Sequence, residues 1–248
     1  MSATVGRWRS WLWLALAAPT TIIFSLLGMA LYAAPFQVRY AVITRWTRLA
    51  IWWLRVTCGI GFAVEGRENL PVEGAAVILA KHQSAWETMA FQLIFPPQVW
   101  VLKQELLRIP FFGWGLRMLE PIAIDRAAGR KAVVQLIRQG TERLQRGIWV
   151  VVFPEGTRVA PGERGKYLSG GAALAVSAKA PVVPVAHNAG LYWPREGGKH
   201  PGTIRVVIGP QIATEGRTPD EVNAEAEAWI ENCMPHLLGE APKHTEAA

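Results

Sequence analysis

Acidic side chains are absent from the first sixty residues, and cysteine is scarce throughout: the 248-residue chain has only Cys58 and Cys233. Two such distant cysteines make neither a disulfide framework nor a metal-ligand spacing, which favours a reducing compartment and no structural metal. Missing too are a G-x-S-x-G elbow, a Walker A loop, an H-E-x-x-H pair and a Rossmann glycine fingerprint. Serine hydrolases, P-loop NTPases, zincins and dinucleotide enzymes therefore have no support. Glycine (23) and proline (17) are too few for a collagenous or low-complexity chain, and 51% hydrophobic residues exclude a disordered one. The length suits one sizeable domain with an appendage.

What charge there is falls unevenly. The net +7 invites a nucleic-acid partner, but the average describes no part of the chain. Residues 1–60 carry +6 from six arginines, residues 61–210 carry +7, and residues 211–248 carry −6. No nucleic-acid module is recognisable, and no nucleic acid is expected as a partner.

Residues 11–34 hold 24 consecutive uncharged side chains, interrupted in helical character only by Pro19, which would kink the helix. As a helix this run measures about 36 Å, enough for a hydrocarbon core of about 30 Å. It is too long for a signal-peptide core and lacks a small-x-small cleavage site. The next segment, residues 39–60, puts Arg45, Arg48 and Arg55 on one face and Trp46, Trp53 and Leu54 on the rest, the pattern of a helix on an anionic bilayer surface. Arginines flank the first segment on both sides, so the expectation is a helical hairpin entering and leaving on the cytoplasmic side, with a single span as the alternative.

Beyond Gly61, short apolar runs at 75–80, 98–102, 121–124, 148–153, 182–186 and 204–208 alternate with helical stretches near 85–95, 111–119, 128–145 and 169–179. This predicts an α/β domain on a largely parallel sheet. Thr218-Pro219-Asp220-Glu221 opens a final helix with an apolar stripe through Val222, Ala226, Trp229 and Cys233, read as a solvated helix packed on the domain. The strands end in polar residues: Lys81-His82, Lys103, Arg126, Glu155-Gly156-Thr157-Arg158 and His187-Asn188. Parallel strands would gather these along one rim, where open α/β sheets bind ligands.

In KHQSAWE (81–87), Ser84 and Glu87 fit a capping box, with Ser84 as N-cap. His82 then sits on free backbone ahead of the helix and is able to fold back on Glu87. A carboxylate on one ring nitrogen leaves the other as a general base. The competing reading is that Glu87 only caps the helix. In FPEGTR (153–158), Gly156 allows close backbone approach, Thr157 offers a hydroxyl and Arg158 a fork for phosphate. Glu155 would repel a phosphate, so it is expected to hold an arginine or a substrate hydroxyl. His187 reads as a packed strand-end residue.

KHQSAWE, the segment 122–126 ending in Arg126, FPEGTR and VVPVA (182–186) resemble the four ordered blocks of the PlsC-type glycerolipid acyltransferases, over residues 62–210. The resemblance implies an α/β fold, a largely parallel mixed sheet flanked by helices, preceded by a two-helix membrane motif. Its expected division is residues 1–60 for the membrane helices, 61–238 for the catalytic domain and 239–248 for a disordered tail. It implies His82 as general base with Glu87 as its partner, and Lys103, Arg126, Glu155, Gly156, Thr157 and Arg158 as the acceptor's phosphate site. The implied reaction moves a fatty acyl group from acyl-CoA or acyl-acyl carrier protein to the sn-2 hydroxyl of lysophosphatidic acid, with no tightly bound cofactor. The implied place is a bilayer, the bacterial inner membrane, with the site at its cytoplasmic face. Two departures stand out: Glu87 replaces the family's usual Asp, and Lys81 its usual Asn, so that Lys81 is expected to add to the phosphate field. Other acceptors (glycerol 3-phosphate, another lysophospholipid, a lyso-aminolipid) and a non-catalytic lipid-binding role remain as alternatives.

Overall fold

The computed structural model describes residues 3–239, with side chains from Arg7 onward except that of Arg126. The expected tail past Gly239 lies outside the described residues.

Two long helices come first: α1 (Ala3–Ala30), which runs through Pro19, and α2 (Phe36–Cys58). α2 stops where Gly59 takes the left-handed conformation at φ 68°, which glycine adopts without a Cβ penalty. The chain then turns into β1 (Ile60–Glu65), a strand that the sequence pattern does not reveal. It is an edge strand with a glycine and a glutamate in six residues, too short and too mixed to stand out. Ile60 thus belongs to the sheet and not to the second helix.

The remaining elements alternate as expected. They are β2 (Val77–Ala80), α3 (Trp86–Ile94), β3 (Gln98–Lys103), α4 (Phe112–Met118), β4 (Ile122–Ile124), α5 (Arg130–Gln145), β5 (Trp149–Val152), α6 (Gly170–Ala178), β6 (Val182–His187), α7 (Ala189–Tyr192), β7 (Gly202–Ile208) and α8 (Pro219–Gly239). Seven strands form one sheet in the order β1-β7-β6-β2-β5-β3-β4. β6, β2, β5, β3 and β4 are mutually parallel, whereas β7 runs antiparallel to β6 and carries β1 parallel to itself. All residues of β2 and β5 are buried, as strands covered on both faces must be. The carboxyl ends of the five parallel strands therefore do share one rim.

The amino-terminal helices do not stand apart from this domain. Trp13 Nε1 donates to Ala50 O, Ser10 Oγ accepts from Lys199 N, and α1 packs along α4 near its other end. A Cβ on Gly115 of α4 would come within 2.5 Å of Ser25 Oγ and 3.3 Å of Ser25 Cβ, so α1 and α4 approach closely there. Arg39, one of the six amino-terminal arginines, is buried and donates to Ala34 O, Met118 O and Glu120. It joins α2 to the domain, whereas Arg45, Arg48 and Arg55 are exposed. Among the described residues one helix, over residues 7–30, is long and apolar enough to cross a membrane, and 22% of its most apolar window is buried.

Candidate active site

The central strand β2 delivers the first site residues. Its ladder ends where Lys81 N donates to Val185 O, and His82, Gln83 and Ser84 bridge to α3. Glu87, in the first turn of α3, has no exposed side-chain surface. Its Oε1 accepts from the backbone N–H of Gln83 at 2.9 Å and of Ser84 at 2.7 Å, and lies 2.9 Å from His82 Nδ1. Half of the expected capping box is present: Glu87 reaches back to Ser84 N–H. The other half differs, because Ser84 Oγ accepts from Trp86 N–H and Ala85 occupies the N-cap position.

Burial works to raise the Glu87 carboxyl pKa. Interaction with the His187 and His82 imidazoles, with hydrogen bonds from His82 and the Ser84 N–H, outweighs it and holds the carboxyl below its ordinary value. An ionised Glu87 accepts only, so the His82 Nδ1 carries the proton and Nε2 keeps its lone pair. The imidazole is stacked on Phe153 at 4.2 Å, with 17° between the planes, which fixes the ring on its other side.

His187 is different. Its Nε2 donates to Lys81 O at 2.8 Å and its Nδ1 accepts from Ala189 N–H at 3.3 Å, so both nitrogens are occupied in the neutral form. Complete burial pushes its pKa down. It is a packed strand-end residue, as its position in VVPVAH suggests.

At the end of β5, Gly156 N–H closes a turn onto Phe153 O, with Pro154 inside the turn and Gly156 at φ 67°. Glu155 points inward. Its Oε1 accepts from Lys81 Nζ at 2.6 Å and from Gly165 N–H, and its Oε2 accepts from His82 N–H at 3.0 Å. Lys81 is fully buried; its other donors go to Glu163 O and to Glu231 Oε1, an oxygen that also accepts from Tyr167 O–H. Two expectations are thereby corrected. Glu155 holds a lysine and two backbone N–H groups, not an arginine or a substrate hydroxyl. Lys81 is neutralised inside the fold and adds nothing to a phosphate field.

The acidic helix α8 is likewise more than a solvated cover, since Glu231 reaches this cluster. In the sequence Glu231 is one more acid on an acidic helix face, next to the apolar Ile230.

A cavity of about 580 Å³ opens beside the dyad. His82, Phe153, Gly156, Thr157, Arg158 and Lys103 lie around its polar end. Its apolar walls come from α1, α2, α3 and α4, including Trp13, Ala17, Ile43, Met89 and Leu116. Lys103, Thr157 and Arg158 are exposed, and neither cation has a carboxylate partner among the described residues. Arg126 opens a short 3₁₀ turn at the end of β4, but its side chain is outside the described residues. The sequence gives no sign of the cavity, since its walls come from four separate helices. No cluster of His, Cys, Asp and Glu able to hold a metal occurs among the described residues.

Comparison with known proteins adds the following. A family described as "Acyltransferase" matches residues 61–188. The chain is 52% identical over 208 residues to the 1-acyl-sn-glycerol-3-phosphate acyltransferase of Pseudomonas aeruginosa, covering 82% of this chain and 80% of that one. It is 30% identical over 183 residues to the human 1-acyl-sn-glycerol-3-phosphate acyltransferase alpha, covering 73% of this chain and 65% of that one. The fold matches the crystal structure of the acyltransferase PlsC from Thermotoga maritima with a TM-score of 0.78, at 22% identity, over 96% of this chain and 100% of that one.

Proposed function

The chain belongs to the acyltransferase family, and on that premise we propose that it acylates the sn-2 hydroxyl of 1-acylglycerol 3-phosphate to form phosphatidic acid. The observation that carries this reading is one juxtaposition: a His82–Glu87 dyad beside unpaired Lys103 and Arg158, at the polar end of an apolar cavity.

In the proposed reaction the acceptor's phosphate meets Lys103, Arg158 and the Gly156–Thr157 turn, with Arg126 as a further cation. Arginine suits a phosphate because its planar fork donates two parallel bonds. His82 Nε2 takes the proton of the sn-2 hydroxyl as that oxygen attacks the thioester carbonyl carbon. The tetrahedral intermediate collapses, the C–S bond breaks, and the thiolate takes the proton back from the imidazolium. Glu87 stabilises the imidazolium between these steps. Glu155 works at one remove, by fixing the backbone of His82. Neither cysteine lines the cavity, which supports direct transfer without an acyl-protein intermediate.

The cavity walls supplied by α1 and α2 fit an acyl chain and bring the lipid acceptor from the bilayer. The proposed division at residue 60 is therefore one of membrane chemistry, since both helices also complete the cavity. Contacts of α1 with the domain near both ends support a helix lying in one leaflet. The proposed location is the cytoplasmic face of the bacterial inner membrane, supported by two unpaired cysteines and by the Pseudomonas relative.

The test is an assay of purified protein against lysophosphatidic acid, glycerol 3-phosphate and other lyso-acceptors, with acyl-CoA and with acyl-acyl carrier protein. Phosphatidic acid formation from lysophosphatidic acid is expected; turnover of glycerol 3-phosphate alone would replace the proposed acceptor. Trapping of an acyl-protein in a single turnover would overturn direct transfer.

A further inference from the structure

Lysine is the residue type that most readily keeps its charged end in water, which makes Lys199 unusual. It stands in the segment between Trp193 and β7 and is 9% exposed. Its Nζ lies 4.6 Å from the ring centroid of Trp13 and 4.3 Å from that of Trp193. The two indoles pack edge to face at 4.8 Å, so the ammonium sits in an aromatic corner formed by α1 and the catalytic domain. Ring faces replace part of the lost hydration of a cation. They accept no conventional hydrogen bond, and Nζ has neither an acceptor nor a carboxylate partner among the described residues. Burial accordingly pushes the Lys199 pKa down.

Lys199 also lines a cleft of about 420 Å³ that shares Leu14 with the lining of the catalytic cavity. Arg7, Ser10, Trp11, Leu14 and Gly197 complete its lining. The lining thus holds two cationic residues and no acid, a surplus of donors that an oxyanion would satisfy. The surroundings narrow the class of anion. Trp8 and Trp11 next to the cleft are 56% and 69% exposed, and Leu12 and Leu14 continue an exposed apolar face along α1. Exposed tryptophans beside arginine are the chemistry of a bilayer's headgroup level.

We infer that this cleft binds the headgroup phosphate of an anionic membrane phospholipid, with Lys199 and Arg7 as its cations and Trp11 against the glycerol and upper acyl region. The cleft adjoins the catalytic cavity at Leu14, and the inference does not rest on the acyl-transfer reading. Its effect would be to clamp α1 to the domain through Trp13 and Trp193 when the protein sits on an anionic bilayer.

Native mass spectrometry of the full chain in detergent, with phosphatidylglycerol or phosphatidylcholine added, tests this. The wild type is expected to retain phosphatidylglycerol in preference to phosphatidylcholine. Lys199→Met should weaken that retention about tenfold, the loss of one charge-assisted hydrogen bond. Lys199→Arg should largely keep it, and Arg45→Gln, on an exposed face of α2 outside the cleft, should leave it unchanged. Should Lys199→Met fail to fold, Arg7→Gln on the exposed end of α1 decides, with the same loss expected. Unchanged retention in the variants at 199 or 7 would overturn the inference. So would an equal loss in Arg45→Gln, which would mean diffuse attraction. Displacement of the lipid by inorganic phosphate or by coenzyme A would also overturn it, by assigning the cleft to a soluble anion.

Discussion

His82 Nδ1 lies 2.9 Å from Glu87 Oε1, an oxygen that also accepts the backbone N–H groups of Gln83 and Ser84. One atom thus fixes the loop, the helix start and the imidazole tautomer together. The Glu87 carboxylate is buried under the loop, and its second oxygen makes no hydrogen bond among the described residues.

Glu87→Gln separates charge from geometry, because an amide oxygen is able to occupy the Oε1 position and keep the same donors. Turnover is expected to fall by about 10²–10⁴, the usual contribution of a positioned acid–base group. Thermal unfolding should move by only a few degrees. Retained turnover in this variant would remove Glu87 from the mechanism and leave it a helix cap.

Arg158→Ala should act mainly on the acceptor. Loss of a charge-assisted contact with phosphate corresponds to a KM for lysophosphatidic acid raised by about 10–100-fold. Arg158→Lys should recover part of that loss, since it keeps the charge without the fork. A fall in kcat at unchanged KM would contradict a phosphate-binding role.

Lys81→Met leaves the buried Glu155 and the partly buried Glu231 without their cation, a change expected to cost about 3–5 kcal/mol. Combining it with Glu231→Met should cost less than the sum of the two single changes, because the second removes one stranded carboxylate. Thermal unfolding of the four variants measures this coupling. Strict additivity would show that the two side chains do not interact.

Acid stability follows from two groups whose folded pKa values are lowered. For His187, burial lowers the pKa below 6.5, so as pH falls through 6.5 the unfolded chain binds a proton that the folded chain refuses. Stability is therefore complete above about pH 6.5 and is lost toward the lower folded value. For Glu87, stability is complete above 4.5 and is lost as pH falls below it. NMR titration should find the His187 ring protonating at lower pH than an ordinary imidazole; protonation at or above the ordinary value of 6.5 would contradict the assignment.

Gly115→Ala places a methyl group against Ser25 Oγ across the α1–α4 contact, an overpacking expected to cost about 1–3 kcal/mol. Ser25→Gly should relieve it in the double variant. Because both helices line the cavity, the single variant should also lose turnover on long-chain donors more than on short ones.

The sequence by itself determined what is local. Apolar runs bounded by turn residues located the parallel strands β2 to β6, and the uncharged run of 24 residues marked α1. HQSAWE brought His82 and Glu87 into reach because five residues of backbone hold them together whatever the rest of the chain does. The tertiary structure decided everything that depends on which distant segment arrives where. Lys81 lies 74 residues from Glu155 and 150 from Glu231, and only folding determines that its charge is spent inside and not on a substrate. Arg39, in the sequence only one of six amino-terminal arginines, likewise becomes an internal tie with Glu120. The direction of β7, the existence of edge strand β1 and the cavity between four helices also lie beyond pattern. The physical reason is common to all: a side chain's charge, burial and hydrogen-bond partners are properties of its surroundings, and for these residues the surroundings come from remote parts of the chain.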